Sequence, residues 1–352
     1  LLQERLDILE IETCKNAIIL MDEYINGIKN KYGYNEELTN FLSQLIPTLI
    51  KYYGEEHKNT ILSALSNCEI HFQSKDENPK TYLNSYFGVN KEWEMPPTAK
   101  AFYHKEIGVK DNKVVSKSII YSKSVFSRIV YNPFDFSDDK QLNTLIHEIC
   151  HLVKGYGKLK VENGKIIDST GLAIDTYSYS QETGVVEEKN DMLGIEEALN
   201  DVETAQILEM MTGRQQEIGA YKVAGYYASR LLEYEDIAKV IRNSQFNGDS
   251  NWIQYLGEDQ SKVLTDNFDV LVNSLYVSYS DINTKEKKKA YFEKIDLAQD
   301  ALNNFIDNYC SKEDIETFMQ SLANADKKTI EMIQQLNVSK QNSNDVSGQI
   351  RR

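Results

Sequence analysis

Five histidines occur in the chain, and two of them, His147 and His151, stand four residues apart in the stretch TLIHEICHLV with Glu148 beside the first. On a helix, residues four apart lie one turn above each other on the same face, where both imidazoles can reach one cation. Such a pair supplies two nitrogen ligands to zinc. Glu148 is offset from His147 by about 100°, too far round to share the ligand geometry, yet close enough to touch a water held at the metal, which makes it a general base. The chemistry of this pattern is metal-assisted hydrolysis: the cation acidifies the water and polarises a carbonyl, and the carboxylate carries the proton to the leaving amine. Apart from the motif, residues 145 to 153 carry no charge. The helix is therefore expected to be buried, where unpaired polar groups are costly. Cys150 is one residue from His151 and points away from the shared face, so it reads as a small buried hydrophobe.

The elements that must hold these residues follow from the flanking sequence. PFDFSDDKQLNTLIHEICHLVKGYG opens with a proline and an Asp-rich first turn and stops at Gly155 and Gly157, which places the motif in mid-helix. Before it come β-prone pieces, AFYHKEIGV, KVVSKSIIY and VFSRIVYN, the first two joined by the turn-forming KDN, and these predict a small antiparallel sheet. After it, Asn163-Gly164 between alternating flanks predicts a hairpin, with LAIDTYSYS as a third strand. Helical spacing resumes at IEEALNDVETAQILEMM and continues in segments to about residue 336. Residues 1–95 read as an N-terminal helical region, 96–235 as the catalytic unit, 236–336 as a C-terminal helical region and 337–352 as a disordered tail.

TLIHEICHLV looks like the active-site helix of the zincin metallopeptidases. The metzincin pattern is absent, because Lys154 and Gly157 stand where its glycine and third histidine belong, and no histidine follows His151. The resemblance then implies a carboxylate as third ligand, and IEEALND is similar to the Asn-Glu-x-x-Ser-Asp helix of the gluzincins. In that register Glu197 is the ligand, and Asp201, one turn later, is implied to orient a ligating imidazole. Glu196 stands where the family has asparagine, so Glu196 with Asn200 is a competing register; Glu203 and Asp175 are further candidates. The resemblance also implies a donor for the transition-state oxyanion. With downstream histidines absent it is tyrosine, arginine or backbone, and AGYYASR offers Tyr226, Tyr227 and Arg230, with Tyr177 and Tyr179 as alternatives. Zincins have an edge strand above the active-site helix that pairs with extended substrate, and SVFSRIVYN is the candidate for it here.

Composition narrows the remaining classes. The chain has 352 residues, 41% hydrophobic and 26% charged, as in a soluble globular protein, and no run is long enough for a membrane span. Its 54 acidic residues against 39 basic ones give a net charge of -15, which argues against a nucleic-acid partner. Four cysteines without C-x-x-C spacing argue against a disulfide framework or a thiolate zinc site and favour a cytoplasmic protein. Because the sequence begins at Leu1, a trimmed, secreted protein stays open. The reading is an α+β, predominantly helical zincin-like protein: a metallopeptidase that binds one zinc ion through His147, His151 and Glu197 and acts on a peptide or protein substrate. The alternative is a zincin-like module that binds a protein partner without cleavage.

Overall fold

The computed structural model describes residues 20–93, 100–110, 113–123, 125–127, 130–179, 186–277 and 280–309. The expected tail at 337–352 and the start of the first helix lie outside them. The fold is α+β and mostly helical. Residues 20–32 are helical (α1), followed by α2 (Glu36–Tyr53), α3 (Lys58–Ser66), β1 (Cys68–Phe72) and α4 (Pro79–Phe87). Then come β2 (Ala101–Lys110), β3 (Lys113–Ser122), β4 (Val125–Ser127), β5 (Val130–Asn132) and the motif helix α5 (Asp139–Gly155). A second set of strands, β6 (Lys160–Glu162), β7 (Lys165–Thr170), β8 (Ala173–Tyr179) and β9 (Val186–Asp191), leads into α6 (Leu193–Thr212). The chain closes with α7 (Lys222–Leu232), α8 (Glu235–Asn247), α9 (Asn251–Leu256), α10 (Glu258–Asn273) and α11 (Lys285–Tyr309). Among the described residues, no helix is long and apolar enough to cross a membrane.

Helix α5 starts where its sequence says it should. The Asp138 side chain accepts the Lys140 N–H at 2.9 Å, and Asp139 adds negative charge to the first turn. Its apolar positions Leu145, Ile146, Ile149 and Val153 pack against Leu45, Ile46 and Leu49 of α2 and Ile61 of α3 in one core, which Ile207 and Leu208 at the end of α6 complete. A second core lies on the other side of α6, where Ile195, Ala198, Leu199 and Val202 meet Tyr227, Leu231, Trp252, Phe268 and Leu302. Helix α6 is thus buried nearly all round and forms the partition between the two cores.

The sheets differ from the expected arrangement in three places. First, the N-terminal region expected to be helical contains a strand: α3 ends at Ser66, and Cys68–Phe72 forms β1, with Cys68 and Ile70 buried in alternation. β1 joins β3 in parallel, with Cys68 opposite Ser118, while β2 pairs with β3 antiparallel, so the sheet is mixed, in the order β1-β3-β2. Second, the segment taken as the substrate-pairing edge strand folds on itself as the β4–β5 hairpin, Val125 opposite Asn132. The strand beside α5 is β2 instead. Third, β9, whose charged sequence VEEKND lacks an apolar alternation, extends the antiparallel β6-β7-β8-β9 sheet. The Asn163-Gly164 turn lies between β6 and β7, with both residues at positive φ, as a tight hairpin requires.

Candidate metal centre

Helices α5 and α6 bring three side chains to one point. His147 Nε2 lies 3.1 Å from His151 Nε2 and 3.1 Å from Glu197 Oε2, and His151 Nε2 lies 3.4 Å from Glu197 Oε1. The imidazole planes are inclined at 76°, so the two rings converge edge to face on the carboxylate. Among the described residues, this is the group of His, Cys, Asp or Glu side chains whose donor atoms lie close enough together to hold a metal ion. Of the carboxylates weighed from sequence, Glu197 is the one at the histidines. Glu196, one residue earlier and about 100° round the helix, meets Lys154 Nζ at 2.6 Å, and Glu203 meets the same ammonium at 2.7 Å. Asp175 lies opposite Asp168 on the β7–β8 ladder, away from the cluster.

A further layer of contacts holds the histidines in place. His147 Nδ1 is 2.9 Å from Asp201 Oδ1, and Asp201 Oδ2 accepts the Tyr221 N–H at 2.7 Å. Asn200 Nδ2 donates to the His147 carbonyl at 2.8 Å, locking α6 to the backbone of α5 at the motif itself. Burial alone would lower the pKa of His147, but hydrogen bonds to Asp201 and Glu197 outweigh it and raise it well above the ordinary value. Burial would likewise raise the Glu197 carboxyl, yet the His151 charge and the hydrogen bonds to both rings hold it well below the carboxylate range.

Glu148 occupies a different environment. Its Oε2 accepts the backbone N–H of Tyr103 on β2 at 2.7 Å. That N–H is available because of the ladder's phase: the Lys123 N–H donates to the Lys100 carbonyl at 2.7 Å, which puts even-numbered residues of β2 in hydrogen-bonded pairs with β3 and turns odd-numbered ones outward. Burial raises the Glu148 carboxyl above its ordinary value. Glu148, His147 and Asp201 line a cleft of about 790 Å³, bounded by the start of β2 at Lys100 and Ala101, by residues 215–222, and by Leu275 and Tyr276 after α10. The 215–222 wall is pinned at several points: Arg214 pairs with Asp139 at 2.6 Å, and Gly219 packs so close to Asn143 and Asp201 that a Cβ would meet both at 2.9 Å.

The tyrosines singled out from sequence stand elsewhere. Tyr227 is buried against α11, its hydroxyl near Gln299 and Asn303, while Tyr226 is exposed on α7 beside Arg230, which pairs with Asp307. Neither is brought to the cleft, since α7 faces the second core. Tyr177 interacts with Glu188 on the outer sheet, and the Tyr179 side chain lies outside the described residues. The tyrosine at the cluster is Tyr221, whose ring centre is 6.3 Å from that of His147 and whose hydroxyl lies 2.6 Å from that of Tyr276. Sequence reasoning passed over Tyr221, which stands among many tyrosines. It also passed over the Tyr103 N–H, a backbone group with no sequence signature, and over Lys154, whose one signal was a charge at the end of an apolar helix. Cys150 is a buried free thiol, 3.9 Å from Thr204 Oγ1. No family model, curated protein or solved structure matches the chain, and its function therefore rests on the geometry of this cluster.

Proposed function

We propose that the chain is a zinc-dependent peptide hydrolase of the gluzincin-like zincin kind, with His147, His151 and Glu197 holding the ion and Glu148 as general base. The observation that carries the reading is the convergence of two imidazole nitrogens and one carboxylate at 3.1 to 3.4 Å, beside a second carboxylate that faces a cleft. Zinc bonds of about 2.0–2.1 Å at tetrahedral angles separate neighbouring donor atoms by about 3.3 Å, so the donor set and its spacing both fit the ion. Zinc bound there supplies an acidified water and a Lewis acid for the scissile carbonyl.

The chain's own residues do the rest. Asp201 accepts from His147 Nδ1–H, which fixes the tautomer that leaves Nε2 as the ligand atom. Glu148 takes the proton of the attacking water and delivers it to the leaving nitrogen. The Tyr103 N–H holds Oε2 in place and leaves Oε1 as the proton carrier. The outward edge of β2 at Ala101 opens on the cleft, where an extended peptide can add as a further strand. The test is digestion of a peptide library by the zinc-loaded full chain and by Glu148→Gln. Cleavage by the parent and a loss of about 10²–10⁴-fold in the variant, at equal zinc content, is the expected result. Bound zinc with no cleavage by the parent would replace the enzyme with a non-cleaving binding module.

A further inference from the structure

Lys154 is fully buried at the end of α5, and so are both of its partners, Glu196 and Glu203. One ammonium between two carboxylates, with Lys158 and Arg242 also within electrostatic reach of Glu196 and Glu203, is a costly charge network to bury, which an apolar contact would avoid. Each carboxylate is anchored again from another element. Glu196 Oε2 accepts the Leu172 N–H at 2.8 Å and Gln245 Nε2 at 3.1 Å, and Glu203 Oε2 accepts the Tyr53 hydroxyl at 3.0 Å. The turn before β8, helix α8 and helix α2 therefore all converge on the two carboxylates that hold this lysine.

What the arrangement does follows from the helix it grips. Because α6 is packed by apolar side chains on opposite sides, burial alone does not choose its rotation. A slip of one residue would move its side chains by about 1.5 Å along the axis and about 100° around it, enough to carry Glu197 away from the histidines. Glu196 and Glu203 are seven apart, close to two full turns, so they share one face of α6 with Asn200 between them. Glu197 and Asp201 fall on the adjacent face. We propose that Lys154 is a positioning residue that, by gripping Glu196 and Glu203 together, fixes the rotation and register of α6 against α5 and so aims Glu197 at the histidine pair. The inference rests on the metal-centre reading, and it assigns to a buried charge network the registry role for which such networks are best attested.

The test uses cobalt(II) binding to the metal-free full chain, read by affinity and by the visible absorption of the bound ion. Lys154→Met alone strands two buried carboxylates, so the informative variant is Lys154→Met/Glu196→Gln/Glu203→Gln, which removes the charges and nearly keeps the shape. It is expected to bind cobalt about 10-fold to 100-fold more weakly than the parent, with an altered absorption band. Glu203→Gln alone keeps the Lys154–Glu196 pair and an acceptor for Tyr53; it should fold and show a smaller loss of affinity in the same direction. Parental affinity and spectrum in either folded variant would overturn the role of Lys154. Failure of the parent itself to bind cobalt would instead refute the metal centre.

Discussion

Glu148 and Glu197 are chemically identical side chains set to different tasks by their neighbours. The two imidazoles hold Glu197 ionised, whereas burial favours the protonated form of Glu148 and so suits it to exchange a proton. Asp201 bears on the ion through His147 Nδ1 while its other oxygen holds the Tyr221 N–H, which an asparagine carbonyl can still accept; Asp201→Asn is therefore expected to weaken zinc binding about 10-fold to 100-fold, as a competition titration with a chelating dye would measure. Among the tyrosines, position in the cleft decides. Tyr221→Phe should lower peptide turnover by about 10²-fold if its hydroxyl meets developing negative charge, and Tyr227→Phe, which only loosens the packing against α11, should leave turnover unchanged. The histidines and Glu148 were legible because helical spacing is local: four residues make one turn whatever surrounds them. The tyrosine was not, since Tyr221 reaches His147 through a loop whose path depends on Asp139 and Asp201 rather than on its own neighbours in sequence.

At the scale of elements, the site is a property of two helices and one strand. The limits of α5 could be read from its Asp-rich start and glycine stop, and the β6–β7 hairpin from Asn163-Gly164, because caps and turns are written in adjacent residues. β1 and β9 were hidden, being short pieces whose strand state comes from pairing with β3 and β8 rather than from their own pattern. Among the acids of α6 the gluzincin-like register pointed to Glu197, the carboxylate that lies at the histidines, but nothing in the local pattern showed that Glu196 and Glu203 share Lys154. Removing that ammonium should be severe: Lys154→Met is expected to lower the unfolding free energy by about 3–5 kcal/mol, measurable by urea denaturation. Gly171 tests the same neighbourhood from the other side. It sits at φ 62°, and a Cβ there would run into the Glu196 carboxylate, so Gly171→Ala should destabilise the protein by more than about 1 kcal/mol, where the same replacement at an unstrained site would stabilise it.

For the whole molecule, the cluster ties together the two cores that α6 separates, one built on α2 and α5 and the other on α7 to α11. A metal bound by both helices stabilises the folded chain by mass action, about 2.7 kcal/mol at a hundredfold excess over Kd. Treatment with a chelator should therefore lower the melting temperature, and zinc should restore it. A pH effect comes from elsewhere in the fold. Lys158 is buried and donates to the Gln245 carbonyl, and burial pushes its pKa down to about 7. Between that value and the ordinary lysine value of about 10.4, the unfolded chain binds more protons than the folded one, so this group makes stability rise with pH across the window. Lys158→Met should flatten that rise in urea midpoints measured from about pH 7 to 9.

The most direct measurement of the central claim is the zinc content of the metal-free chain after reconstitution and desalting, taken alongside His147→Ala, His151→Ala and Glu197→Gln. The account requires one zinc per chain in the parent and its loss in each variant. A parent that retains no zinc, or variants that keep it, would contradict the metal centre and the hydrolase built on it.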